Sequence, residues 1–208
     1  MPDLVFRVLL PVFWLCLSIV VAANRWRVMR QLGRDPIVLR PWEKAESPTK
    51  YLERALSIAA VALTLDVVLN AISPDVVADR LGIGMLRSSR TIGYSGLALL
   101  MSGALFSAMA VRQMGTSWRI GIDYQAAGPL VSKGAFARVR HPIYAGMLVA
   151  TAGIAAVTAD ALSVAVAAAA SVGLPVQARL EEAFLSSRYP EDYPVYAERT
   201  GRFWPKIV

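Results

Sequence analysis

The sequence predicts an all-α, polytopic membrane protein. It has about five transmembrane helices, the last two a tight hairpin, and a cytoplasmic amphipathic helix near the C-terminal end. Three observations carry this. The 208 residues are 56% hydrophobic and only 18% charged, where a soluble domain carries roughly 25% charge, and the mean hydropathy is +0.48. Long apolar runs recur between short polar stretches. The basic residues gather in alternate stretches.

The first run, residues 4–23, is apolar except for Arg7. Its charge sits inside the run, and Asn24 and a basic stretch follow it rather than a small-residue cleavage site. It reads as a membrane helix and not as a signal peptide. Residues 55–72 form the second span, entered through Ser47-Pro48 as N-cap and first helical position. Residues 91–111 carry no charge and are the clearest span. Residues 142–178 hold one charge, Asp160. They are too long for one crossing, since about 20 residues suffice. Thr158-Ala159-Asp160 therefore reads as a turn between two antiparallel helices. Gly146, Ala150, Gly153 and Ala165–Ala170 are small enough to let membrane helices approach closely.

Charge sets the topology. Of the 22 Lys and Arg residues, 18 fall at 25–54, 112–140 and 179–206; the other four are Arg7, Arg80, Arg87 and Arg90. Five alternating spans put the three basic regions on one side, which the positive-inside rule makes cytoplasmic, with the N-terminus outside. The net charge of +7 is thus a topology signal rather than a nucleic-acid footprint. The lone Cys16 lies in an apolar run and the chain has one histidine. No intrachain disulfide and no protein-only zinc site are expected. Asp66, inside the second span, is a functional candidate or a structural partner of Asn70 one turn away. The chain divides into residues 1–111, three helices with a basic loop at 24–50, and residues 112–208, a loop, hairpin and tail holding the chemistry. The two are integrated in one domain.

Two stretches on the basic side are too specific for connectors. Residues 114–144 are Gly-rich, long for a loop and studded with aromatics, ending in Arg138-Val139-Arg140-His141-Pro142-Ile143-Tyr144. Residues 179–204 open with Arg179 and Glu181-Glu182 and continue as an amphipathic helix with Tyr189, Tyr193 and Tyr196 near one face. Pro142 suits the first position of the fourth helix. His141 then sits at its N-cap, beside free N–H groups and the positive helix end.

The pattern Leu130-Val131, Gly134, Phe136, Arg140-His141-Pro142 and Tyr144 resembles the hallmark of the isoprenylcysteine carboxyl methyltransferase family, related to the membrane phospholipid N-methyltransferases. The tail is similar too, with Glu181-Glu182, Tyr189, Glu191-Asp192, Tyr193, Tyr196, Arg199 and Pro205 in order. The likeness covers residues 112–205. It implies an S-adenosylmethionine-dependent methyltransferase acting on a lipophilic acceptor, an isoprenoid carboxylate or a lipid headgroup, entering from the bilayer. It implies cofactor contacts from Gly128, Pro129, Leu130, Val131, Phe136, His141, Pro142, Ile143, Tyr144, Glu181 and Glu182, and catalytic roles for Arg140, Arg179 and Glu181. That cofactor suits the residues. Its carboxylate needs donors, and its ammonium and sulfonium suit carboxylates and aromatic faces. The family places an arginine four residues before its functional glutamate; here that place is Gln177 or Ala178. Trp118-Arg119 shapes the loop or touches ligand, and Trp204 belongs to the interfacial aromatic belt. The competing readings are an NADPH-dependent membrane reductase of the sterol-reductase type, also with an Arg-His pair, and a non-enzymatic membrane scaffold or small transporter. A soluble Rossmann methyltransferase is disfavoured, because no strand leads into a Gly-rich phosphate turn.

Overall fold

The computed structural model describes residues 8–38, 48–81, 90–123 and 128–206. Its helices are α1 (Leu10–Leu32), α2 (Pro48–Ile72), α3 (Pro74–Leu81), α4 (Arg90–Met114), α5 (Pro142–Thr158), α6 (Ala161–Arg188) and α7 (Asp192–Arg199). Among the described residues there is no strand, only two isolated parallel bridges. The polytopic all-α fold is therefore borne out. Helices α1, α2, α4 and α6 are long and apolar enough to cross a membrane, and α5 is a shorter apolar helix of 17 residues.

The boundaries differ from expectation in instructive places. Helix α1 runs on past Asn24 to Leu32, because no breaker intervenes before Gly33. That glycine takes the left-handed conformation (φ 69°) and donates its N–H to the Met29 carbonyl. Helix α2 begins at Pro48 as expected; Arg7 and Ser47 lie outside the described residues. The short α3 carries no apolar run of membrane length and was not anticipated. The amphipathic tail is not one helix. Helix α6 continues through Glu181-Glu182 to Arg188, and Tyr189 leaves helical geometry. Pro190 follows, and the residue before a proline disfavours the helical region.

The turn at 158–160 forms as read. Ala159 adopts φ 48°, and the Asp160 side chain caps α6 by accepting the Ser163 N–H at 2.9 Å. The small residues let helices approach closely, as expected. Gly146 and Gly153 of α5 lie against α4. A Cβ on Gly153 would meet Leu100 N at 2.4 Å and Gly96 O at 2.6 Å, and one on Gly103 would meet Gly146 O at 2.5 Å. Backbone touches backbone here, which only glycine allows. One core joins α1, α2, α4, α5 and α6 through Leu10, Leu63, Val67, Leu100, Ile154 and Val166. Large apolar side chains such as Leu15, Leu105 and Val172 stay more than half exposed, as a lipid-facing surface requires.

Away from the basic loops, polar side chains lock this bundle. Asn70 Nδ2 donates to Asp66 Oδ1 at 3.3 Å and to Asp160 Oδ2 at 3.2 Å. Thr158 Oγ1 lies 2.7 Å from Ser163 Oγ. The expected Asp66–Asn70 pairing is present, and it reaches on to the hairpin turn.

Candidate active site

At the opposite end the loop after α4 folds under the hairpin. Gly115 starts a 3-10 turn with φ 57°. Trp118 is buried with Val28 and Val111, and Ile143 packs on the same cluster. Trp118 thus shapes the loop. The Asp123 carboxylate is buried and held by two guanidiniums, Arg34 at 2.8 Å and Arg119 Nε at 3.1 Å. Ile120 exchanges backbone hydrogen bonds with Pro36 and Val38, tying this loop to the segment after α1.

A second 3-10 turn, Gly134–Ala137, brings the chain to the hairpin. Here the tail returns. The N–H groups of Arg140 and His141 donate to the carbonyls of Gly201 and Arg202 at 2.8 and 2.9 Å, and the Gly201 N–H donates to Arg138. This short parallel pairing fixes the backbone on which Arg140 and His141 stand. Pro142 occupies the first position of α5 and His141 its N-cap, as read, although the imidazole makes no capping hydrogen bond.

The two glutamates have different surroundings. Glu182 Oε1 accepts Arg140 Nε at 2.9 Å and Arg202 Nε at 3.0 Å, and its Oε2 accepts Arg202 Nη2 at 2.6 Å. Arg140 also donates to the carbonyls of Ala197 and Thr200. Glu182 is thus a hub holding α6, the α5 entrance and the tail together, and its hydrogen bonds raise the Arg202 guanidinium pKa further. Glu181 has one hydrogen bond, from Tyr144 Oη at 3.1 Å, and its side chain is 26% exposed, against 14% for Glu182. His141 lies between them. Its Nδ1 is 3.7 Å from Glu181 and its Nε2 3.3 Å from Glu182. The second approach lacks hydrogen-bond geometry, and the buried Nε2 has no partner among the described residues. The imidazole stacks on Tyr144, centroids 5.4 Å apart and rings within 1° of parallel.

A cleft partly open to solvent runs beside this cluster. Gly128, Pro129, Leu130, Val131 and Phe136 line one stretch; Arg140, His141, Glu181 and Tyr193 line another. The first stretch is held from behind. Tyr189 Oη donates to the Gly128 carbonyl, Ser117 Oγ to that of Pro129 (3.1 Å), and Tyr196 Oη to that of Phe136 (2.8 Å). Burial pushes the Tyr196 phenol up to about 12, so it stays a neutral donor.

The structure therefore brings nine of the sequence-assigned residues into one site: Gly128, Pro129, Leu130, Val131, Phe136, Arg140, His141, Tyr144 and Glu181. Pro142 and Ile143 support it from behind, and Glu182 braces it. Arg179 does not join. It is exposed and absent from the cleft lining, because two positions along a helix place it on nearly the opposite face from Glu181. The roles of Arg202 and Tyr193 were missed. No local pattern marks Arg202, since a fold-back of the tail brings it to Glu182. Tyr193 was visible as part of an aromatic face and of the family-like tail, but with no role assigned.

With this geometry in view, similarity to known proteins is informative. Residues 92–192 match the phospholipid methyltransferase family, a stretch that holds the loop, the hairpin and the glutamate pair and agrees with the expected resemblance. The fold as a whole is similar to that of the eukaryotic intramembrane Ras methyltransferase, isoprenylcysteine carboxyl methyltransferase. All of this chain aligns with 68% of that one, with a TM-score of 0.54 and 17% identity. Two bacterial relatives are similar in sequence. The cobalt-zinc-cadmium resistance protein CzcN of Cupriavidus metallidurans is 30% identical over 56% of this chain and 49% of its own. The nickel-cobalt-cadmium resistance protein NccN of Alcaligenes xylosoxydans xylosoxydans is 33% identical over 53% of this chain and 51% of its own. The chain spans about half the length of the curated relatives it matches. Among the described residues, no group of three or more His, Cys, Asp or Glu side chains is placed to hold a metal ion.

Proposed function

We propose that this protein is an integral-membrane methyltransferase that takes S-adenosylmethionine in the cleft and methylates a lipophilic acceptor arriving from the bilayer. The observation that carries the reading is the Glu181 carboxylate, which keeps a single hydrogen bond and lines the cleft beside His141. The cleft lining offers a negative charge at Glu181, the aromatic rings of Tyr189, Tyr193 and Tyr196, and the imidazole of His141. That donor set fits a ligand with a cationic centre and polar ends. Bound there, S-adenosylmethionine would supply a methyl group already activated on a sulfonium.

The chain's own residues then have separable tasks. Gly128 to Val131 and Phe136 offer an apolar slot, held in shape by Tyr189, Ser117 and Tyr196, for the adenosine part. Glu181 and the Tyr144 face accept positive charge. Arg140 and Glu182 hold the hairpin entrance still, so that proximity and exclusion of water can favour transfer; an amine or thiol acceptor would in addition have to give up its proton. The place of the family's arginine is taken by Gln177 or Ala178, both buried and neutral, and Arg179 faces away. This favours an acceptor such as an amine, a thiol or another lipid headgroup over a carboxylate. The basic side faces the cytoplasm in this reading, and the site with it.

The test is transfer of a labelled methyl group into membrane extracts, sorted into lipid, protein and small isoprenoid fractions. Label should enter a lipid-extractable fraction with the native protein and fall at least tenfold with Glu181→Gln. Absence of transfer into every fraction would overturn the reading.

A further inference from the structure

Tyr193 is absent from the site residues that sequence resemblance assigns, yet its environment marks it as a ligand contact. It sits in the first turn of α7, is only 3% exposed, and lines the cleft. Its phenol oxygen has no hydrogen-bond partner among the described residues. Its neighbour Tyr196, equally buried, donates to a carbonyl. A buried hydroxyl left without a partner loses its hydration with nothing to replace it. Because the residue lines the cleft, a ligand there is the available source of that partner.

The charge pattern says what that partner is. Two guanidiniums, Arg140 and Arg202, surround the single carboxylate of Glu182, so this end of the cluster carries one positive charge in excess. Glu181 supplies the matching negative charge at the other side of His141. The cleft is thus polarised, and a zwitterion fits it in one direction only. Burial, with Glu182 close by, pushes the Tyr193 phenol well above its ordinary range, so it offers an O–H rather than an oxyanion.

We propose that the Tyr193 hydroxyl donates a hydrogen bond to the carboxylate of the ligand's amino-acid end, with its ammonium turned toward Glu181. The inference rests on the cofactor reading above and adds the direction in which the ligand lies.

The experiment measures binding to detergent-purified protein, without turnover, of two ligands: S-adenosylhomocysteine, and 5′-methylthioadenosine, which lacks the amino-acid end. Tyr193→Phe should weaken S-adenosylhomocysteine about tenfold, the effect of one lost hydrogen bond to a charged group, and leave 5′-methylthioadenosine unchanged. Equal weakening of both ligands, or of neither, overturns the assignment. If the native protein binds neither ligand, the cofactor reading itself fails. Should the variant not fold, the native protein still decides. The methyl ester of S-adenosylhomocysteine must then bind at least tenfold more weakly than the free acid, and equal binding of ester and acid refutes the proposed carboxylate contact.

Discussion

Each end of the bundle buries a polar network, and the two are built differently. Away from the basic loops, Asp66, Asn70, Thr158, Asp160 and Ser163 join α2 to the hairpin turn within packed helices. At the basic end, Arg140, Glu182 and Arg202 join α6, the α5 entrance and the tail. Both ends leave a buried polar atom without a partner among the described residues: Asn70 Oδ1 at one, His141 Nε2 and Tyr193 Oη at the other. What separates them is the space in front. Asn70 is wholly buried and lines no described cleft, whereas His141 and Tyr193 line one with an apolar slot beside it. A buried polar network by itself therefore says little about function; one that faces open space says a good deal. Neighbouring residues repeat the lesson, since Glu182 is held by two guanidiniums while Glu181 keeps one hydrogen bond and lines the cleft.

The largest expected effect removes both ends together, because the α4–α5 contact holds them in register. Gly153→Leu would drive side-chain atoms into the α4 backbone, which cannot yield. It should cost ~3 kcal/mol or more, read as loss of monodisperse protein in detergent. Next comes the basic end. Glu182→Gln strips the counter-charge from two partly buried arginines and should cost about 2 kcal/mol, seen as a lower thermal midpoint. Glu181→Gln should change stability by under about 0.5 kcal/mol. Equal losses for the two would erase the distinction drawn between them.

At the other end, Asp160→Ala removes the α6 cap and the acceptor of Asn70. A loss of about 1.5 kcal/mol is expected, with ligand binding unchanged. If binding falls with it, the two networks are coupled and not independent. Tyr196 gives a pH test. Its phenol is raised to about 12 by burial, against about 10 unfolded. The folded state thus holds its proton more tightly. That stability is fully present below pH 10 and is lost as the pH climbs toward 12. Tyr196→Phe should cost about 1 kcal/mol at neutral pH and flatten this alkaline decline. The smallest effect is expected at the exposed Arg25–Asp35 pair. The guanidinium holds the Asp35 carboxyl below its usual range, so any contribution would vanish only as the pH falls into that range. Arg25→Ala should leave the thermal midpoint unmoved in physiological salt.

The sequence made the helices legible because a bilayer imposes length and charge rules on any chain that crosses it. Apolar runs, the 142–178 stretch with its single Asp160, and the arginine distribution were enough for the spans and the turn. The site was legible as a set of residues, since His141, Glu181 and the Gly128–Val131 stretch carry a pattern. Its division of labour was not. Whether Glu181 or Glu182 is free depends on where Arg202 arrives, and that depends on a tail that pairs with Val139 from 62 residues away. The α6 extension blurred the tail as well, because Leu180 to Arg188 suits either a separate amphipathic helix or a continuing one. Asn70 bridging to Asp160 spans 90 residues, and no local period reports such a contact.

The most direct measurement of the central claim is competition binding of labelled S-adenosylmethionine to the purified protein in detergent. The account predicts one saturable site, displaced by S-adenosylhomocysteine and indifferent to NADPH, with affinity for the sulfonium form reduced in Glu181→Gln while the thermal midpoint holds. A protein that binds NADPH and not S-adenosylmethionine, or a native protein and a Glu181→Gln variant with the same affinity for it, would contradict the account.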